Sequence, residues 1–197
     1  MYRKRSGVVI ARGLLRVAAL LVCLLSAPAT TIGSAQDGRP WVLIDTTGLT
    51  LSVMQGEQPV MTLFNIAIGR YGTTRDKVRG DNNTPLGRFR VTEVRRRSGF
   101  HRFIALDYPD AERAEKARRD GLIGEPELNA ILGAHRRGTP PPQQTALGGQ
   151  IGIHGLGNAD PALHESINWT RGCVALTDRQ VDALLKWIDV GVTVEIR

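Results

Sequence analysis

Short apolar runs separated by turn-forming residues dominate the chain from residue 41 to residue 106, and this pattern predicts β-strands. Segments 41–45, 49–54 and 59–69 are rich in Val, Ile, Leu, Thr and Phe, and polar or glycine-containing breaks separate them. In segment 87–94 two apolar side chains, Phe89 and Val91, alternate with polar ones, as in a strand with one buried face. Segment 102–106 is another short apolar run, so we predict five strands in this part of the chain.

Two helices are predicted after these strands. The first, Asp110–Asp120, begins at a residue suited to capping and contains two i,i+4 pairs of opposite charge. Its inner face carries mainly small residues, so we expect it to pack weakly and to lie outside the core: Ala111, Ala114 and Ala117. The second, 125–134, places three apolar side chains on one side: Leu128, Ile131 and Leu132.

A third helix is predicted near the end of the chain. Thr177 and Gln180 have the spacing of a capping box, and Gly191 is expected to end the helix. Its apolar stripe has helical spacing: Val181, Leu184, Leu185 and Ile188. The segment Val192–Ile196 then returns as a strand. The expected fold is therefore α+β and β-dominated, a mixed sheet or sandwich with about three helices.

The first 35 residues have the pattern of a signal peptide. Basic residues precede the apolar run Val17–Leu25, which is too short to span a bilayer, and Gly33–Ala35 offers a cleavage site. We therefore predict cleavage after Ala35, one catalytic domain at 36–197, and membrane contact only through the transient signal peptide. An uncleaved anchor and a lipid-bearing Cys23 are the alternatives.

Charge gives little support to a nucleic-acid partner. The formal net charge is +7, but five of the 26 basic residues and none of the 19 acidic residues lie in segment 1–35, which leaves +2 for the rest. Nucleic-acid binding needs a clustered basic surface. Only Arg95–Arg97 and Arg136–Arg137 approach one, and we interpret both as solvated loop charge. We expect no nucleic-acid partner.

Segment 151–176 contains the candidate chemistry, because His154 and Cys173 lie in glycine-rich apolar surroundings within it. A thiol with a neighbouring imidazole forms a cysteine nucleophile with its general base. Backbone N–H groups of Gly172 and Cys173 are candidates for an oxyanion hole, and the Gly155 carbonyl is a candidate for orienting the imidazole. The polar loops 69–87 and 136–150 are long enough to flank such a site.

Two other interpretations of these residues stay open. Cys173 can be a small buried apolar residue with His154 a hydrogen-bonded core residue. A zinc site formed by His154, His164 and Cys173 is weaker, because the ligand spacings of ten and nine residues differ from the short pairs of structural zinc sites. His101 and His135 lie in polar loops, and we assign them no role.

The motifs of this region resemble those of L,D-transpeptidases with a YkuD-type catalytic domain. That family has a His-Gly pair followed by Ser/Thr-x-Gly-Cys, and here Ile153–Gly155 and Thr170–Leu176 (TRGCVAL) match. Segment 80–89 (GDNNTPLGRF) resembles a second family element. Asn168–Leu176 resembles the branch with W-T-x-G-C-I/V-A, in which Trp169 and Thr170 enter the catalytic turn. The resemblance extends over about residues 41–196.

The resemblance implies an exported cysteine enzyme of the periplasm or cell envelope that acts on peptidoglycan stem peptides. Cys173 would be the nucleophile and His154 the base, with Gly155 orienting the imidazole and Gly172 in the oxyanion hole. The expected activity is L,D-transpeptidase acyl transfer through a thioester, and no metal or organic cofactor is implied. Hydrolysis by the same site, including release of a wall-anchored protein, is one alternative. A non-catalytic peptidoglycan-binding module is the other.

The chain departs from the common family pattern at two positions. Arg171 stands where many members have His, and Ala175 stands where many have Arg. Because an arginine two residues after the nucleophile would supply positive charge near the donor, its absence affects donor binding. We expect Arg171 to replace that charge, with Trp169 and Thr170 as further substrate-binding residues.

Overall fold

The computed structural model describes residues 38–197, so the predicted signal peptide lies outside the described residues. The strands, numbered β1 to β10 in chain order, are Pro40–Asp45, Thr50–Gln55, Gln58–Phe64, Thr73–Thr74, Thr84–Pro85, Gly87–Ser98, His101–Leu106, Gly152–His154, Val174–Ala175 and Thr193–Ile196. The helices α1 to α4 are Ala111–Arg119, Glu125–Arg137, Pro161–Ser166 and Asp178–Leu184. This composition confirms the predicted β-dominated α+β class.

A mixed sheet of eight strands forms the framework, in the order β3-β2-β1-β10-β6-β7-β8-β9. The pairs β1/β10 and β8/β9 are parallel, and the other neighbours are antiparallel. Strand β10 therefore joins the first strands to β6, while β8 and β9 end the sheet on the other side. The alternation predicted in β6 is confirmed, because Phe89 and Val91 are buried and Arg88 and Arg90 are exposed.

The helices agree with the sequence in their positions and differ in detail. Asp110 caps α1 as predicted, but this helix buries Arg113 with Ala114 and Ala117, so the expectation of weak outside packing was wrong. Helix α2 continues three residues beyond the predicted end, to Arg137. Helix α4 has the predicted capping box but ends at Leu184, and Ile188 packs into the core from the following turn.

Three of the sequence expectations need correction. Segment 65–69 is not a strand, because Asn65 has a φ of 56° and breaks β3; Ala67 and Gly69 instead form isolated bridges to Ala175 and Thr170. Residues 95–97 belong to β6 and residues 136–137 to the last turn of α2, so neither basic run is a loop.

Within residues 38–197 no helix is long and apolar enough to cross a membrane.

Candidate active site

The parallel pairing of β8 with β9 brings the predicted nucleophile and base to the same part of the sheet. Ile153 pairs with Val174, and His154 pairs with Ala175. Cys173 comes directly before β9, so the same register places it next to Gly152. Because side chains alternate along strands, this position is on the face of the sheet that His154 occupies. A Cβ at Gly152 would lie 2.4 Å from the carbonyl oxygen of Ile104, so only glycine fits there. The Phe103 ring also fills the space beside Gly152, because a Cβ there would lie 2.7 Å from Phe103 Cζ.

One hydrogen bond fixes the imidazole of His154 and its tautomer. Nδ1 lies 2.7 Å from the carbonyl oxygen of Gly155, and because a carbonyl only accepts, Nδ1 carries the proton. Burial of the ring lowers the pKa of His154 below its ordinary value, an effect that the Gly155 carbonyl partly opposes and the neighbouring His164 reinforces. The ring is therefore neutral at pH 7, with the lone pair on Nε2 available to accept a proton.

Aromatic side chains surround this imidazole. The ring centroid of Phe100 lies 4.3 Å from that of His154, Phe103 is nearly parallel to it at 6.1 Å, and Trp169 is edge-on at 5.9 Å. The guanidinium of Arg95 covers the Phe103 ring at 4.7 Å, so this arginine is not the freely solvated charge expected from the sequence. These rings keep water from the imidazole.

At Gly155 the backbone lies closer to Asp178 and Phe100 than any residue with a Cβ would permit. A Cβ at this position would lie 2.5 Å from Asp178 Oδ1 and 2.8 Å from the carbonyl oxygen of Phe100. Asp178, in the first turn of α4, accepts hydrogen bonds from the backbone N–H groups of Leu156 (2.8 Å) and Gly157 (3.1 Å). It therefore positions the chain that carries the Gly155 carbonyl. Sequence reasoning missed this residue, which looked like an ordinary acidic residue at a helix start.

Thr170 holds together the turn that contains Cys173. Its buried hydroxyl donates to the carbonyl oxygen of Cys173 at 2.7 Å and accepts from the N–H of Gly172 at 3.1 Å. The N–H of Gly172 is therefore already engaged, contrary to its expected place in an oxyanion hole. Among the described residues no such bond is recorded for the N–H of Cys173, which remains the oxyanion donor candidate.

Cys173 is half-buried and is the free cysteine of the described residues. Its Sγ donates to the carbonyl oxygen of Gln150 at 3.3 Å, and no hydrogen bond to His154 is recorded within residues 38–197. Burial raises the pKa of this thiol to about 11, although the backbone of Gly152 and the charge of Lys77 act in the opposite direction. The thiol is thus protonated at pH 7 in this arrangement, so reaction needs a base.

Both predicted flanking loops reach this site. Gln150 ends the loop that follows α2, and its carbonyl oxygen contacts the thiol. The loop 69–87 lies against Gly172, where a Cβ would be 2.7 Å from the carbonyl oxygen of Asn83 and 3.0 Å from Lys77 Nζ. Lys77 was not recognised as a site residue from the sequence, because a single lysine in a polar loop usually faces solvent.

The remaining candidate residues are divided between the site and the surface. Trp169 donates from Nε1 to His164 Nδ1 at 3.4 Å, which connects the catalytic turn to α3. Arg171 is exposed beside Gly172. His101 contacts Asp182 and His135 contacts Pro109. Within residues 38–197 no group of His, Cys, Asp and Glu side chains is arranged to hold a metal, so the zinc alternative gains no support.

Comparison with known proteins identifies a family and a fold. The model of the L,D-transpeptidase catalytic domain, YkuD, matches residues 39–196. No curated protein sequence matches the chain. The structure of a mutant of the helical cell shape determining protein Pgp2 from Campylobacter jejuni is 21% identical, with a TM-score of 0.57 over 82% of this chain and 48% of that one. Bd1075 from Bdellovibrio bacteriovorus is 18% identical, with a TM-score of 0.52 over 81% and 48%. The chain thus spans about half the length of either structure, and these likenesses show the fold alone.

Proposed function

The chain belongs to the family of L,D-transpeptidase catalytic domains, and we propose that it modifies peptidoglycan by acyl transfer through a thioester on Cys173. The observation that supports this proposal is the β8/β9 register, in which His154 pairs with Ala175, two residues after Cys173. The Nδ1 contact with the Gly155 carbonyl adds to it, because that contact leaves Nε2 as the proton acceptor. The substrate class comes from the family and not from a contact in the structure.

In the proposed reaction the Cys173 thiol first leaves the carbonyl oxygen of Gln150. Nε2 of His154 then takes the proton of the thiol. The thiolate then attacks the carbonyl carbon of a stem peptide, and the N–H of Cys173 stabilises the oxyanion. When the tetrahedral intermediate collapses, the terminal residue leaves as an amine with the proton from the imidazolium. An acceptor amine then attacks the thioester, gives its proton to His154 and regenerates the thiol.

Hydrolysis is the second candidate, and it uses the same residues with water as the acceptor. Ala175 favours it, since this position lacks the arginine that the commoner family pattern places near the donor. In this variant the enzyme trims stem peptides or releases a wall-anchored protein. Arg171 and Trp169 are the proposed substrate contacts, and the predicted signal peptide would deliver the domain to the periplasm or cell envelope.

The test is incubation of the purified protein with tetrapeptide muropeptides, followed by mass spectrometry of products and intact protein. Wild type should carry a transient acyl mass on Cys173, and Cys173→Ala should carry none. His154→Ala should slow acylation by about 10²–10⁴-fold, the usual contribution of a general base. His135→Ala is the matched control, because that imidazole contacts Pro109 and should leave the rate unchanged.

The products separate the candidate functions. Cross-linked dimers with loss of the terminal residue indicate transfer, whereas shortened monomers alone indicate hydrolysis. A carbapenem should also acylate Cys173, as the family resemblance implies, with a mass increase of one drug molecule. Absence of any acyl-enzyme or product with either reagent would contradict catalysis and leave the binding module as the interpretation.

A further inference from the structure

Lys77 is a buried cation next to the residue that precedes the nucleophile. Its side chain is 3% exposed, and Nζ donates to Asp81 Oδ1 at 2.7 Å. A Cβ placed on Gly172 would lie 3.0 Å from Nζ, so the ammonium is in contact with the Gly172 backbone. The catalytic turn and this ammonium therefore pack directly on each other.

Several hydrogen bonds hold Lys77 in this place. Its carbonyl oxygen accepts from Arg113 Nε at 3.0 Å and from the Tyr108 hydroxyl at 3.4 Å, and both donors are buried. The ammonium is thus carried by a backbone that α1 and the end of β7 fix from two sides. A rigidly placed charge can stabilise a charged reactant without any cost in free energy for rearranging the protein around it.

Asp81 fixes the charged end of the same side chain. Its carboxylate accepts from the backbone N–H groups of Val78 and Asn83, each at 3.0 Å, in addition to the Lys77 ammonium. An ammonium has three donor hydrogens, and the recorded bond to Asp81 uses one of them. Donor capacity and positive charge therefore remain at the Gly172 side.

Burial of this pair calls for an explanation other than stability. Removing an ammonium from water is costly, and a buried ion pair is often no more stable than apolar residues of similar size. An apolar residue at position 77 would leave the Asp81 carboxylate with its two backbone donors and no cation. What an apolar residue would not supply is positive charge beside a cysteine that must ionise.

We propose that Lys77 is a positioning residue for the nucleophile, which acts by stabilising the thiolate of Cys173. The other charged and titratable groups around the thiol are His154 from β8, Arg171 from the catalytic turn itself and Asp81 from the loop. His154 is neutral and Arg171 is exposed, so among these groups the ammonium is the buried positive charge, and it contacts the Gly172 backbone next to the nucleophile. Asp81 offsets part of its effect.

The direction of the effect follows from electrostatics. Burial raises the pKa of the Cys173 thiol, and the charge of Lys77 opposes that rise. A nearby opposite charge favours the charged form of a thiol, and because the Asp81 carboxylate offsets part of this effect we expect a change of about one unit. Loss of the ammonium should therefore reduce the thiolate population about tenfold at any pH below the thiol pKa.

The experiment is the pH dependence of Cys173 alkylation by iodoacetamide, followed by intact-protein mass. Iodoacetamide is uncharged, so Lys77 does not attract it, and the reaction needs no peptidoglycan substrate. Failure of this proposal is therefore distinguishable from failure of the proposed function. Lys77→Met should react about tenfold more slowly than wild type at pH 8, with its profile displaced by about one unit to higher pH. Lys77→Arg, which keeps the charge, should recover most of the rate.

Two further variants make the result interpretable. Lys116→Met removes an exposed lysine with the same i,i+4 contact to an aspartate, at 2.7 Å, and should leave the profile unchanged. If Lys77→Met does not fold, Lys77→Gln gives the same test, because its amide can still donate to Asp81. A folded neutral variant with a wild-type profile would overturn the proposal. A Lys77→Arg profile as displaced as that of the neutral variants would overturn it too, since the charge would then not be the cause.

Discussion

Thr170→Val gives a direct test of how the catalytic turn is held. Valine has nearly the shape of threonine, so the packing of this buried position is preserved. The change removes the hydroxyl that donates to the Cys173 carbonyl at 2.7 Å and accepts from the Gly172 N–H at 3.1 Å. Both backbone groups lose this partner in one substitution, and both belong to the turn that carries the nucleophile.

The expected loss of stability follows from these two groups. A buried donor or acceptor left without a partner costs about 1–3 kcal/mol. Partial access of water to Cys173 reduces the cost at its carbonyl, so we expect a total of about 2–3 kcal/mol. In a domain of this size that loss lowers the melting temperature by about 4–12 °C. A looser turn also displaces the thiol, and a displacement of about 1 Å can cost up to about 10²-fold in rate.

Urea denaturation and the rate of acylation by a carbapenem measure the two effects. Thr46→Val is the matched control, because the Thr46 hydroxyl also donates to a backbone carbonyl, that of Arg197, at 2.8 Å. The Arg197 carbonyl keeps a second donor, the Thr46 N–H, when the hydroxyl is removed. The control should lose less than about 1 kcal/mol and no reactivity. If Thr170→Val unfolds like the control and is acylated like wild type, the hydroxyl does not organise the nucleophile.

Four further predictions concern Gly155, the pKa of His154, Arg171 and the start of the mature chain. Gly155→Ala should lose about 1–3 kcal/mol of unfolding free energy in urea, because its Cβ would meet Asp178 and Phe100, whereas Gly99→Ala meets nothing within 4 Å and should lose little. The pKa of His154 is lowered, so its neutral form persists below pH 6.5, and the acid limb of the acylation profile should lie below that value. The stability associated with neutral His154 should be present above pH 6.5 and should be lost as pH falls through the lowered pKa. Arg171→Ala should slow turnover of peptide substrates at least about tenfold, and wild-type kinetics would mark it as a surface charge. N-terminal sequencing of protein from the cell envelope should begin after Ala35, and a chain that begins at Met1 would contradict cleavage.

The parts of the fold that sequence predicted are those encoded locally. The capping box of Thr177 and Gln180 is present because two side chains three residues apart satisfy each other's backbone. The alternation in β6 similarly reflects one buried face of a strand. Strands β8 and β9 were missed, since three and two residues are too few to show a period. Helix α3 was missed for the same reason, although Asp160 and Pro161 at its start are suitable first residues.

The parts of the site that sequence missed depend on distant segments. Lys77 lies in a polar loop, and only the contacts of its carbonyl with Tyr108 and Arg113 show that this loop is buried. Asp178 was visible as the first residue of a helix, but its bonds to Leu156 and Gly157 connect positions more than twenty residues apart. Such roles follow from tertiary packing, which a single sequence does not display.

The surroundings of Ala175 explain why the positive charge near the nucleophile has to come from other positions. Ala175 is fully buried, and it exchanges two backbone hydrogen bonds with Ala67, at 2.7 and 3.0 Å. An arginine here would have to bury its guanidinium or push the two segments apart. The available cations are Lys77, which is buried and fixed, and Arg171, which is exposed. A fixed cation acts on the thiol whatever the reagent, whereas an exposed one acts when a substrate brings a carboxylate to it. Lys77 should therefore control reaction with neutral iodoacetamide and with peptides alike. Arg171 should control reaction with peptides alone, so comparing both reagents in both variants assigns each charge its own part of the reaction.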